Sequence, residues 1–218
     1  MTWFLDHIPE VLRLAWTHAY LAGIPLVVGL LLALPLGWLA RRYTWLYAPF
    51  TAGFGLLYTI PSLALFVMLP LFTGYGILSP VNVVIALSLY TLALLVRTVA
   101  DGLGAVPDHV QNAATAMGYT RGKRFFAIEL PLAVPVIAAG LRVATVANVS
   151  LVAIAGTIGI PELGQLFVTG FQLSVNGPYY PPIVLGIVLC VALALVLDGL
   201  IVLGTRLSTP WRQVEAAR

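Results

Sequence analysis

Of the 218 residues, 61% are hydrophobic and only 9% charged, with a mean hydropathy of +1.01, whereas a soluble domain carries about a quarter charged residues. That balance excludes a water-soluble globular protein, and the long unbroken apolar runs exclude a membrane β-barrel, whose strands alternate. The net charge of +3 comes without basic clusters interleaved with aromatics and calls for no nucleic-acid partner.

At the N-terminus, Asp6, Glu10, Arg13 and Thr17 fall at helical spacing on one face, with Phe4, Ile8, Val11, Leu12 and Ala15 opposite. This pattern predicts an interfacial helix over 1–18 lying on the outer surface, with Trp3 and Trp16 at headgroup level. His7 and His18 are expected among the headgroups rather than on a metal, because no third ligand has suitable spacing. No cleavable signal sequence is expected, since Asp6 and Glu10 stand where a basic segment would be needed.

Five spans follow, predicted over 19–40, 51–72, 81–99, 132–154 and 183–203, giving an all-α membrane protein with a transmembrane domain over 19–206 and a tail over 207–218. Arg42 and Arg97 bracket 54 uncharged residues, and since one helix needs about 20 to cross the hydrocarbon core, this interval crosses twice. The turn between the crossings lies at Gly74, Gly76, Ser79, Pro80 and Asn82. Gly23, Gly29 and Gly37 in the first span let helices approach closely, and Pro25 and Pro35 bend it. Nine of the eleven lysines and arginines fall on the side that alternation assigns to residues 107–131, so that side is expected to be cytoplasmic, with the N-terminus outside. Arg142 and Asp198 are the charges inside the fourth and fifth spans, and burial in lipid predicts that they pair. Cys190 alone supports neither a disulfide framework nor a cysteine metal site.

Between the third and fourth spans, Pro107 to Pro131 is polar and charge-dense. Pro107 and Asp108 suit a helix start, Gly118 a helix stop, and Ala113, Ala114 and Met117 share a narrow face that another surface could approach. A second helical run is expected over Arg121 to Glu129. This stretch resembles the cytoplasmic coupling loop of permease subunits of ATP-binding-cassette importers, whose pattern is Glu-Ala-Ala, three residues, Gly, nine residues, Ile, one residue, Leu-Pro. Ala113, Ala114, Gly118, Ile128, Leu130 and Pro131 keep that spacing, with Gly122 inside it, while Asn112 stands where the family has Glu and lacks its charge.

In the second span, Tyr58-Thr59-Ile60-Pro61-Ser62-Leu63-Ala64-Leu65 is similar to the Gln-Thr-Ile-Pro-Ser-Leu-Ala-Leu signature of osmoprotectant permeases, which carry glycine betaine, choline or carnitine, with Tyr58 in place of Gln. The polar cluster around Pro61 predicts a kink on the pathway rather than one facing lipid. Tyr58, Thr59, Pro61, Ser62, Phe66 and Tyr90 are the candidate pathway residues, the aromatics by cation–π attraction to a quaternary ammonium.

The resemblance implies the fold of type I importer permeases. It also implies an ATPase dimer gripping the loop, a second permease subunit, identical or paralogous, an extracytoplasmic solute-binding protein, and a plasma-membrane setting among lipid. It implies no cofactor in this chain, ATP and Mg²⁺ being bound by the partner ATPase. Gly118 to Arg124 imitates a phosphate-binding loop but has one residue too few between its glycines and Arg124 where a hydroxyl is needed. No nucleophile, base and orienting acid recur at usable spacing, so the chain is not expected to be an enzyme. Two readings stay open beside the osmoprotectant one: a permease for amino acids of the methionine type, and a membrane subunit, enzymatic or structural, without transport.

Overall fold

The computed structural model describes residues 7–173 and 179–211. The first helix, α1, runs from Ile8 to Arg42 without interruption. This corrects the expected surface helix over 1–18: residues 8–18 are the opening turns of the first long helix, and residues 1–6 lie outside the described ones. The reason is visible in the buried stripe. Val11, Leu14, His18, Leu21, Pro25, Gly29, Ala33, Gly37 and Ala40 are all buried at spacings of three and four, so one continuous face is held against the protein. His18 is fully buried, not among headgroups.

The second span is two arms rather than one rod. Helix α2 (Thr44–Tyr58) is followed by α3 (Ser62–Met68) and the single turn α4 (Pro70–Thr73), with an 86° bend at the break. Pro61 lacks an N–H, and residue 60 before it is pushed out of helical geometry, so the chain cannot continue straight. Gly74 closes α4 in the left-handed region at φ +73°. The side chain of Asn82 then ties the turn, donating to the Gly76 carbonyl (3.0 Å) and accepting from Thr73 Oγ1 (2.8 Å).

Helix α5 (Pro80–Gly104) is the most enclosed of the spans, and close approach explains why. A methyl group at Gly29 would come within 2.5 Å of Thr91, and one at Gly37 within 2.6 Å of Val99. Gly140, on the fourth span, meets Thr98 in the same way at 2.5 Å. Small residues thus bring three helices together where lipid offers no hydrophobic driving force between them. Buried Asn148 adds a polar tie, donating to Thr91 Oγ1 (2.9 Å).

After α5 come the short helix α6 (Asp108–Ala116) and α7 (Arg121–Arg124). A π turn, Phe125–Glu129, leads into α8 (Leu130–Ala155). The expected second loop helix is therefore continuous with the fourth span. Pro131 cannot donate to the carbonyl four residues back, and a wide turn just before it accommodates the missing bond. A 3₁₀ turn, Gly156–Ile158, α9 (Gln165–Gln172) and the long last helix α10 (Tyr180–Ser208) complete the chain. Among the described residues, four helices are long and apolar enough to span a membrane, and the bent pair α2 with α3 and α4, counted as one broken span, brings the number to five.

Candidate coupling loop and membrane path

Helix α6 is set by its two ends. Pro107 takes an extended conformation as its N-cap and its carbonyl accepts from the N–H of Val110 and Gln111, while Asp108 occupies the first turn. At the other end the Tyr119 N–H reaches the Ala114 carbonyl (3.1 Å) and the Gly118 N–H reaches that of Thr115 (3.0 Å). That pair of bonds is a Schellman closure, and it requires Gly118 at φ +82°. A Cβ at Gly118 would meet nothing within 4 Å, so it is the backbone conformation rather than crowding at that carbon that favours glycine there. Arg124 then fastens the loop, donating from Nη1 to Thr115 Oγ1 (2.9 Å) and from Nε to Glu129 Oε1 (2.6 Å).

On this frame Asn112, Ala113, Met117 and Gly122 are exposed, Met117 by 69%. Ala114 is not; it is 1% exposed, on a helix that packs on the turns Arg121–Glu129. The single face expected of Ala113, Ala114 and Met117 is thus divided: adjacent positions on a helix point about 100° apart, and the protein itself occupies the Ala114 side. Ile128, Leu130 and Pro131 are half-buried, Leu130 against the core that includes Leu103, Ala133 and Ile137.

The candidate pathway residues separate in the same way. Tyr58, Thr59 and Pro61 are exposed at the 86° break, with Ser62 buried just beyond. Tyr58 meets Tyr90 edge to face at 5.4 Å. Tyr90, however, is 3% exposed and its hydroxyl donates to the Ile60 carbonyl, satisfying a backbone group at the break. Phe66 is fully buried in the core formed with Leu21, Val83, Leu87 and Val152. Phe66 and Tyr90 are thus both enclosed by the chain itself, where they hold the broken helix in place.

The family model for the inner-membrane component of binding-protein-dependent transport systems matches residues 26–205. The chain belongs to this family. It is 35% identical over 204 residues to the osmoprotectant import permease protein OsmW of Salmonella typhimurium, covering 91% of this chain and 92% of the relative. It is 27% identical to the glycine betaine/carnitine/choline transport system permease protein OpuCB of Bacillus subtilis over 96% of this chain and 94% of the relative. Among solved structures, a chain from the inward-facing MetNI methionine ABC transporter superposes with a TM-score of 0.80 over 94% of this chain and 98% of its own, at 21% identity. That likeness establishes the permease fold.

Within the permease, Arg142 and Asp198 are brought together across α8 and α10. The guanidinium donates from Nε to Asp198 Oδ1 (2.6 Å) and from Nη2 to Oδ2 (2.9 Å), a two-pronged geometry suited to arginine. A second polar pair escaped sequence reading. His18 Nδ1 lies 2.8 Å from Glu162 Oε2, and both side chains are fully buried. His18 Nε2 donates to the Val149 carbonyl (3.1 Å), so the imidazole carries a hydrogen on that nitrogen and a second proton is shared between Nδ1 and the carboxyl. The Gly164 N–H also donates to Oε2 (2.7 Å). A methyl at Gly156 or Gly164 would come within 2.4 or 2.5 Å of Glu162 Oε1, so the glycines make room for the carboxyl. Through this pair α1 and α8 are tied to the turn between α8 and α9. One signal was available: His18 continues the Val11, Leu14, Leu21 stripe at helical spacing.

Proposed function

We propose that the protein is the permease subunit of an ATP-driven importer for quaternary-amine compatible solutes such as glycine betaine, choline, carnitine or proline betaine. The observation that carries this reading is likeness to osmoprotectant permeases over nine-tenths of both chains, joined to a capped, exposed loop helix at the coupling motif. A dimer of a separate ATPase seats against the α6 surface made by Asn112, Ala113 and Met117, a second permease completes the path, and an extracytoplasmic binding protein delivers solute. ATP and Mg²⁺ are held by the ATPase, and this chain performs no chemistry. Closure of the ATPase dimer moves α6, and because α7, the π turn and α8 are continuous, the push passes directly into the fourth span. The break at Pro61, exposing Tyr58 and Thr59, is the segment of this chain that faces the path. Clustering of Arg41, Arg42, Arg121 and Arg124 about one cavity at the loop end supports a cytoplasmic loop and C-terminus and an outer N-terminus. Co-purification with an ATPase and solute retention by the cognate binding protein test the reading. Retention of glycine betaine or choline is expected. Retention of methionine instead, or a chain isolated without any ATPase, contradicts it.

A further inference from the structure

Three neighbouring cavities at the basic end of the molecule share lining residues. The first, about 460 Å³, lies between the end of α1, the end of α5 and the loop, and is lined by Arg41, Arg42, Arg121, Arg124 and Glu129. The second, about 530 Å³, shares Trp38, Arg42 and Arg121 with it but is otherwise apolar, walled by Leu34, Phe125 and Leu130. The third, about 350 Å³, shares Leu34 and Leu130 and runs on between α1, α8 and α10 past Ile137, Leu141 and Gly204. Polar lining at one end thus gives way to a mainly apolar channel, its successive cavities sharing Leu34 and Leu130 as walls.

Three of the four arginines at the head of this channel make no ion pair among the described residues. Glu129 is taken by Arg124 at 2.6 Å, and among the described residues no carboxylate lies within 4 Å of Arg41, Arg42 or Arg121. Arg42 is held over the Trp38 ring at 5.1 Å and over Tyr43 at 5.4 Å, which fixes its guanidinium at the junction of the two environments. Guanidinium groups match phosphate oxygens in geometry as well as charge. Basic side chains at the end of spans, where headgroups lie, attract anionic lipid.

We propose that this composite cavity binds an anionic phospholipid, with its phosphodiester among Arg41, Arg42 and Arg121 and one acyl chain along the groove bounded by Leu34, Leu130 and Gly204. A soluble phosphate ester would use the arginines and leave the groove idle; a zwitterionic lipid would bring its own cation against them. The lipid bridges the end of α1 to Arg121, the first residue of the helix leading from the loop into the fourth span, and so steadies the element that couples to the ATPase.

The test titrates the delipidated permease, purified with its ATPase, with dioleoylphosphatidylglycerol, dioleoylphosphatidylcholine and inorganic phosphate, and reads bound lipid by native mass spectrometry. Phosphatidylglycerol is expected to bind about tenfold more tightly than phosphatidylcholine, and joint replacement of Arg41, Arg42 and Arg121 by Gln to abolish that preference. Gly204→Phe supplies a second variant: Gly204 lines the groove and a Cβ added there meets nothing within 4 Å, so the ring enters the groove from an uncrowded backbone position, and phosphatidylglycerol binding should fall with the arginines intact. Equal binding of the two lipids, or a preference that survives the triple variant, overturns the proposal. Displacement of phosphatidylglycerol by inorganic phosphate together with indifference to Gly204→Phe also overturns it, in favour of a soluble-phosphate site.

Discussion

At the scale of single residues, the buried polar groups decide most. His18 and Glu162 are fully enclosed, and removing one partner strands the other without water, a change that typically destabilises by about 3 kcal/mol or more. Glu162→Ala should therefore lower the thermal unfolding midpoint of the purified permease sharply. His18→Ala with Glu162→Ala together should lose less than the two single losses added. Strict additivity in that double-mutant cycle would show that the two do not act as a pair. His18 was misjudged from sequence because the exposed faces of Glu10 and Arg13 suggested a surface helix; the buried stripe on the opposite side carries across residue 18 and was the stronger signal. Glu162 lay in a Gly- and Pro-bearing turn, and nothing local in sequence foretells that a turn carboxylate will be enclosed by a helix 144 residues away.

Elements carry the mechanical part of the reading. Gly118 as a helix stop and the spacing of Ala113 to Pro131 were legible because turn chemistry and a fixed motif are local. Which side of α6 faces outward was not, since it depends on how the helix sits on Arg121–Glu129. The structure separates two outcomes. Met117→Glu, on the exposed side, should leave the permease folded and inserted while weakening ATPase co-purification about tenfold, as expected for a charge desolvated at a contact. Ala114→Glu would force a charge into a site with 1% exposure and should disorder the loop itself, visible as faster proteolysis between residues 107 and 131. Equal resistance of both variants would contradict this division. In the spans, Arg142 and Asp198 were expected to pair because each was the lone charge within its predicted span, 132–154 or 183–203. Their two-pronged contact leads to a clear expectation: Asp198→Ala alone should impair insertion or assembly more than Asp198→Ala combined with Arg142→Ala, measured as membrane-embedded yield. The 86° break was legible only as a kink, because the sequence marks Pro61 but not the direction in which α3 leaves.

For the whole molecule, composition alone settled a multi-span helical membrane protein, and the arginine distribution supplied an orientation. Impermeant thiol labelling tests it: with Cys190 replaced, a cysteine at Gln172 should react from outside intact cells and one at Thr120 only after permeabilisation, and the reverse pattern would invert the topology. The centre of the bundle was the least legible feature. That α5 lies enclosed between α1 and α8 follows from Gly29, Gly37 and Gly140 meeting Thr91, Val99 and Thr98, contacts between distant segments that no single window displays. The central functional claim is that this chain forms the path of a binding-protein-dependent, ATP-driven importer of quaternary-amine solutes. Its most direct measurement is uptake of radiolabelled glycine betaine, choline, carnitine and methionine into proteoliposomes containing the permease, its ATPase and its binding protein. Accumulation of at least one quaternary amine, requiring both ATP and the binding protein and lost with Met117→Glu, is the expected result; accumulation of methionine alone, or uptake that proceeds without ATP, would contradict the claim.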